Sequence, residues 1–83
     1  MQLSKFVKFR EEKFGGVLFE TRSEKVYTLT PTAAAVVQAV AAGRPTHEIA
    51  PSLAERFEAP QAAIERDVEA FVAQLRDKGL VEG

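Results

Sequence analysis

Residues 14–35 read FGGVLFETRSEKVYTLTPTAAA, and this stretch decides the fold. Val17, Leu18 and Phe19 follow a Gly15-Gly16 pair, which supplies turn or bulge geometry that side-chain-bearing residues resist, and the run ends in polar Glu20 and Thr21. This predicts a strand over 16–21. Arg22 and Ser23 make a turn, after which Val26, Tyr27 and Leu29 bring β-branched and aromatic character to a strand over 24–29. The two strands are expected to pair as an antiparallel hairpin. Thr30 then suits a helix N-cap and Pro31 the first helical position, so the alanines that follow open a helix.

Upstream, Lys5 to Arg10 mixes Phe6, Val7 and Phe9 with Lys8 and Arg10, the pattern of a half-buried strand over 5–10. Short connections favour a meander, which places 16–21 in the middle and leaves 24–29 as an edge with unpaired backbone groups. Downstream, a helix over 31–42 carries Ala33, Val36, Val37 and Val40 on one face before Gly43 ends it. A second helix over 46–57 buries Ile49, Leu53 and Phe57. Pro51 would crowd the His47 carbonyl, so either the first turn is distorted or the regular helix starts later. The third helix, over 60–78, has Pro60 near its start and lines Ile64, Val68, Phe71, Val72 and Leu75 along one broad apolar face. Gly79 can take the left-handed position after Lys78 and set Leu80 against Leu75, whereas Val81 to Gly83 are expected to fray. Three strands followed by three helices make an α+β order, a small three-stranded antiparallel sheet on a helical bundle with winged-helix-like topology.

A chain of 83 residues has room for one core, so residues 1–83 are expected to form a single domain. Its composition, 46% hydrophobic and 28% charged with a net charge of -1, is that of a soluble globular domain. The absence of cysteine rules out disulfides and thiolate metal sites and fits the reducing cytoplasm. The longest apolar run, Ala33 to Val37, is far too short to span a bilayer, and the N-terminus is no signal peptide. Residues 1–30 carry six basic and four acidic side chains, and residues 31–83 five basic and eight acidic. The imbalance is either a solvated surface or weak steering of an acidic peptide to the strand half.

Catalytic and metal chemistry find no constellation. His47 is the one histidine, Ser4, Ser23 and Ser52 have no base partner, and Glu65 with Glu69 forms a solvated i, i+4 pair. No enzyme activity, cofactor or metal is expected. Gly15-Gly16 belongs to no phosphate-loop pattern. Winged-helix topology raises DNA binding as a rival, but residues 65–78 carry three bases (Arg66, Arg76, Lys78) against four acids (Glu65, Asp67, Glu69, Asp77), which phosphate would repel. The second helix offers only Arg56 among Glu48, Glu55 and Glu58. The open edge also allows homodimerisation through the same backbone groups.

Three segments together carry a resemblance: Gly15-Gly16-Val17-Leu18-Phe19, then Lys25-Val26-Tyr27-Thr28-Leu29-Thr30-Pro31-Thr32-Ala33, then Glu65-Arg66-Asp67-Val68-Glu69-Ala70-Phe71 with Gly79-Leu80. Their order and spacing resemble the PqqD-like proteins, or RiPP recognition elements, from about Phe6 to Val81. The chain departs from the pattern at Arg22-Ser23-Glu24, where a glycine is often seen, and at Ala59, where a polar cap would be expected. The resemblance implies a non-catalytic domain that holds the leader segment of a ribosomally made precursor peptide as a further strand beside the third strand, against the third helix. It implies contacts on Lys25, Val26, Tyr27, Thr28 and Leu29. The helix wall would run through Ile64, Asp67, Val68, Phe71, Gln74 and Leu75, with Asp67 or Gln74 bonding at the rim. Ile64, Val68, Phe71 and Leu75 also sit at core spacing. Val26 and Tyr27 point to opposite faces, so at most one lines the groove. The partner implied is a modifying enzyme, a radical S-adenosylmethionine maturase first and a peptidase or cyclase of lasso-peptide type second.

Overall fold

Thr30 leaves the sheet in extended backbone, its hydroxyl accepts the Ala33 N–H at 3.2 Å, and Pro31 follows as the first helical residue. Around this junction the computed structural model, which describes residues 2–82, arranges five strands and three helices. These are β1 (Gln2–Leu3), β2 (Val7–Glu12), β3 (Gly15–Glu20), β4 (Lys25–Leu29), α1 (Pro31–Ala41), α2 (Thr46–Phe57), α3 (Gln61–Asp77) and β5 (Val81–Glu82). Strands β2, β3 and β4 form an antiparallel meander with β3 in the middle, and β1 pairs with β5 in a separate two-stranded ribbon.

The strand bounds differ from the sequence expectation for local reasons. Ser4 takes the chain through a turn, its carbonyl accepting the Val7 N–H at 3.0 Å, so the first long strand begins at Val7 rather than Lys5 and runs on to Glu12. Thr21 leaves the ladder because both its N–H and its hydroxyl donate to the Phe6 carbonyl, at 2.8 and 2.9 Å. Glu24 has φ +61, a left-handed conformation where glycine would be easiest, so β4 begins at Lys25. Ala42 and Lys78 are C-caps and Pro60 is an N-cap, which trims α1 and α3 by a residue at those ends. Helix α2 starts at Thr46 and continues through Pro51, which has no N–H to give the His47 carbonyl; both Pro51 and His47 are exposed, so the site is open to water.

The C-terminal strand overturns the expected fraying. Gly79 has φ +70, its N–H donates to Arg76 at 3.0 Å, and the Leu80 N–H donates to Leu75 at 2.9 Å, the bonding of a Schellman cap. That reversal buries Leu80 beside Leu75, and the Ser4 N–H donates to the Leu80 carbonyl at 2.9 Å. Val81 and Glu82 are thereby delivered to Leu3 and Gln2. Gly83 lies outside the described residues.

Helix α1 is the centre of the packing. Ala34 and Val37 join Leu18, Leu29, Leu75 and Leu80 between sheet and helices, while Ala35, Val36 and Val40 join Ile49, Leu53, Ile64, Val68 and Val72 among the helices. Val36, Val37 and Val40 are at most 1% exposed. Burying a valine stabilises by about 1.5 kcal/mol or more, against about 1 kcal/mol for an N-cap, so packing rather than capping holds α1. Close contact between α1 and β3 is possible because β3 begins with two glycines. On the α1 side, a Cβ on Gly15 would lie 2.8 Å from the Pro31 nitrogen and one on Gly16 3.2 Å from the Ala34 Cβ; within the sheet, the first would also collide with the Leu29 carbonyl oxygen and the second lie 2.7 Å from the Phe9 ring.

Candidate functional site

Strand β4 has one neighbour, β3, and among the described residues nothing pairs with its other edge. Its register sets the faces: Tyr27 lies opposite Leu18 and Leu29 opposite Gly16, whereas Val26 lies opposite Phe19 and Thr28 opposite Val17. Tyr27 is half-buried against the core between sheet and helices, with the Lys78 Nζ 5.6 Å from its ring centroid. Val26 is 61% exposed on the far face of the sheet. Of the two, Tyr27 therefore faces the helices. Lys25 and Thr28 are exposed, and Leu29, only 5% exposed, belongs to the core.

Beyond the end of β4, the first turns of α1 and the middle of α3 enclose a hollow of about 440 Å³. Ile64, Asp67, Val68 and Phe71 line it from α3, and Thr30, Thr32, Ala33 and Val36 from the α1 side. Ile64 and Val68 are buried and form a floor, Phe71 is half-buried and touches both core clusters, and Asp67 is exposed at the rim. Gln74 is exposed and stands outside the hollow, while Leu75, 2% exposed, is a core residue. The α1 contribution went unread in the sequence, where Ala33 and Val36 looked only like core. Its signal was the Thr30-Pro31 cap, which starts a helix directly beside the end of the edge strand.

The turn that introduces β4 is held by one carboxylate. Glu20 is 7% exposed, and its pKa is lowered from an ordinary 4.5 to about 2. The largest cause is the Ser23 hydroxyl, donating to Oε2 at 2.6 Å; burial opposes it. The N–H groups of Arg22 and Ser23, at 3.1 and 2.8 Å, and the Arg22 Nε at 3.2 Å lower it further. Arg22 in turn covers the Phe6 ring, 4.2 Å from its centroid. This carboxylate, with Glu24 in the left-handed region, replaces the missing turn glycine. Because the folded pKa lies below the unfolded one, the contribution of Glu20 is complete above about pH 4.5 and is lost as pH falls towards about 2. Thermal melts across that window should show a fall in stability that is shallower in Glu20→Gln; parallel pH profiles would assign the acid sensitivity to other groups.

Elsewhere among the described residues the titratable side chains do not converge. The His47 side chain is 82% exposed, with Glu48 3.8 Å away, and Glu65 accepts from Gln61 at 3.0 Å. Among the described residues, no group of three or more His, Cys, Asp or Glu could hold a metal ion, and no helix is long and apolar enough to cross a membrane. A smaller hollow of about 210 Å³ between α1 and α2, bordered by Arg44, Ser52 and Arg56, includes no residue of β4 or α3.

Known proteins share this fold, and some resemble this sequence. A solved structure described as TbiB1 in complex with the TbiA(beta) leader peptide superposes with a TM-score of 0.89 at 22% identity, covering 100% of this chain and 96% of the other. A second, described as lasso peptide synthetase B1 complexed with the leader peptide, gives a TM-score of 0.85 at 28% identity, covering 99% and 96%. A PqqA binding protein of Rhizobium meliloti (strain 1021) is 30% identical over 82 residues, which span 99% of this chain and 84% of that protein. The family pattern of coenzyme PQQ synthesis protein D (PqqD) matches residues 15–81, from the glycine pair to the first residue of the strand that follows the Schellman cap. Fold, sequence identity and family pattern converge, and the chain belongs to the PqqD family.

Proposed function

We propose that this protein binds the leader segment of a ribosomally synthesised precursor peptide as an added strand along β4 and delivers it to a modifying enzyme. The observation that carries this reading is the unpaired β4 edge lying beside the hollow between α1 and α3. Relatives support it: one is named for binding PqqA, and another was solved with a leader peptide in place. In this reading residues 1–83 work as one non-catalytic domain in the cytoplasm. The enzyme served is a radical S-adenosylmethionine maturase, with a lasso-type peptidase or cyclase as the second reading.

Each part of the site has a distinct task. Main-chain groups of Lys25 to Leu29 bond the leader whatever its sequence, and Tyr27, Ile64, Val68 and Phe71 receive its apolar side chains, with Asp67 and Gln74 at the rim. Leu29 and Leu75 hold the two walls in place from the core. About four main-chain bonds, at roughly 0.5–1.5 kcal/mol each, fall short of the roughly 8 kcal/mol that micromolar affinity needs. Side chains entering the hollow must therefore supply the difference, and they confer the specificity.

The test is calorimetric titration with leaders of precursor peptides encoded beside the gene, a scrambled leader serving as control. The leader that binds is then N-methylated at alternate amides in two complementary sets. An added strand turns successive amides in opposite directions, so one set should abolish binding and the other should leave it nearly unchanged. Equal effects from both sets would rule out strand addition. Saturation by no leader, with self-association instead, would assign the edge to homodimerisation.

A further inference from the structure

The two ends of the groove carry opposite charge. At one end Lys78 follows the last turn of α3 with its Nζ over the Tyr27 ring, and Lys25 lies two residues before Tyr27 on the same face of β4. Neither lysine is in an ion pair among the described residues: Lys25 stands across the ladder from Glu20, whose carboxylate is taken up by Arg22 and Ser23, and the positions one turn back from Lys78 are Gln74 and Leu75, which carry no acid. At the other end Asp67 opens into the hollow beside Thr30 and Thr32. It too is unpaired among the described residues, and Ala63, Ile64, Ala70 and Phe71, the positions one turn away, offer it no base. Between the two ends lies the half-buried ring of Phe71.

Resting on the reading that a leader adds along β4, we infer that the groove is electrically polarised and selects its peptide by charge order. The preferred leader presents to the helices an acidic side chain at the Lys25–Lys78 end, an apolar one over Phe71, and a basic one at Asp67. The helical path from Asp67 to Lys78 is about 16 Å at 1.5 Å per residue, or about five residues of strand at 3.3 Å each. Side chains on one face of a strand recur every second residue, so the acid and the base should stand about four or six positions apart. An uncharged leader would gain the main-chain bonds and the apolar contact but would have neither end fixed. The order of charges thus sets register as well as affinity.

The experiment starts from the leader that saturates the protein in calorimetry. Two versions are made with a lysine and a glutamate four positions apart on the helix-facing side, identical except that the two charges are exchanged, and a second pair is made with the charges six positions apart. At low ionic strength the native protein should prefer one version by about five-fold, each exposed ion pair adding a modest factor. A variant combining Asp67→Lys with Lys78→Glu should prefer the other version, and salt at about 0.5 M should erase both preferences. Lys78→Glu puts an acid at a helix C-terminus, so Asp67→Lys with Lys25→Glu is the second pair, and circular dichroism checks the fold of each. Equal affinity of both versions for native and reversed proteins would overturn the charge-order inference while leaving strand addition intact. Failure of every leader to bind would remove the peptide-binding reading together with it.

Discussion

Gly15→Ala should unfold the protein or bring it close to unfolding. Gly15 has φ +140, a backbone conformation that L side chains rarely adopt, and strain of this kind costs about 1–3 kcal/mol. The new methyl would also overlap the Leu29 carbonyl oxygen and stand 2.6 Å from the Thr30 carbonyl carbon and 2.8 Å from the Pro31 nitrogen. These are backbone atoms at the junction of β4 and α1, so they cannot swing aside as a flexible side chain would. Moving them adds roughly another 1–3 kcal/mol, and a domain this small sits near the low end of the usual range of about 5–15 kcal/mol. Gly79→Ala is the matched comparison: its φ is +70, but nothing lies within 4 Å of the added carbon, so it should cost only about 1 kcal/mol. Urea denaturation followed by circular dichroism measures both. A Gly15→Ala midpoint no lower than that of Gly79→Ala would show that the junction yields.

Charge placed in the hollow should abolish leader binding without abolishing the fold, provided that the position is chosen by burial. Val68, 2% exposed and packed among the helices, is unsuitable, because an aspartate there is an unpaired carboxylate in the core. Phe71 is half-buried and lines the hollow, so Phe71→Asp meets water before binding and loses it on binding. A desolvation cost of about 3 kcal/mol corresponds to a loss of about 100-fold or more in affinity. Ala33→Glu is a second route to the same result. Ala33 is half-buried beside the core and stands three residues after the Thr30 cap, where a glutamate can return to the cap N–H and offset part of the lost packing, so this variant should remain folded with a somewhat lowered thermal stability while binding is lost. Native affinity in a folded Ala33→Glu protein, measured with the leader that saturates the native chain, would exclude the hollow from the site.

The parts legible in the sequence were those with a chemical signature inside one short segment. Thr30-Pro31 announced α1, Gly79 announced the end of α3, and the period-two and helical patterns separated sheet from bundle. Strands β1 and β5 escaped because two residues make no period, and their pairing rests on the reversal at Gly79 bringing Val81 back to Leu3. The turn before β4 gave no warning of its geometry, since a glutamate at φ +61 resembles any solvated charge until the carboxylate of Glu20 is seen gathering the Arg22 and Ser23 amides. At the candidate site, the residues of β4 and α3 were legible as elements but not by facing. Tyr27 and Val26 were told apart only by register, and Leu75 and Phe71, on one helical stripe, only by what packs over them. The α1 side of the hollow is a product of tertiary packing, so no periodicity could have named it.

Gln2 pairs with Glu82 and Leu3 with Val81, so the first and last strands of the described residues lie side by side. Seen as a closed circuit, the folded unit has an arbitrary seam: linking β5 to β1 through a few residues makes a ring, and opening that ring at an exposed connection such as Gly43–Arg44 yields a permuted unit with the same neighbours. By the same geometry, a host protein could carry this unit as a graft in one of its loops, with both junctions side by side and little change in the span the host must bridge.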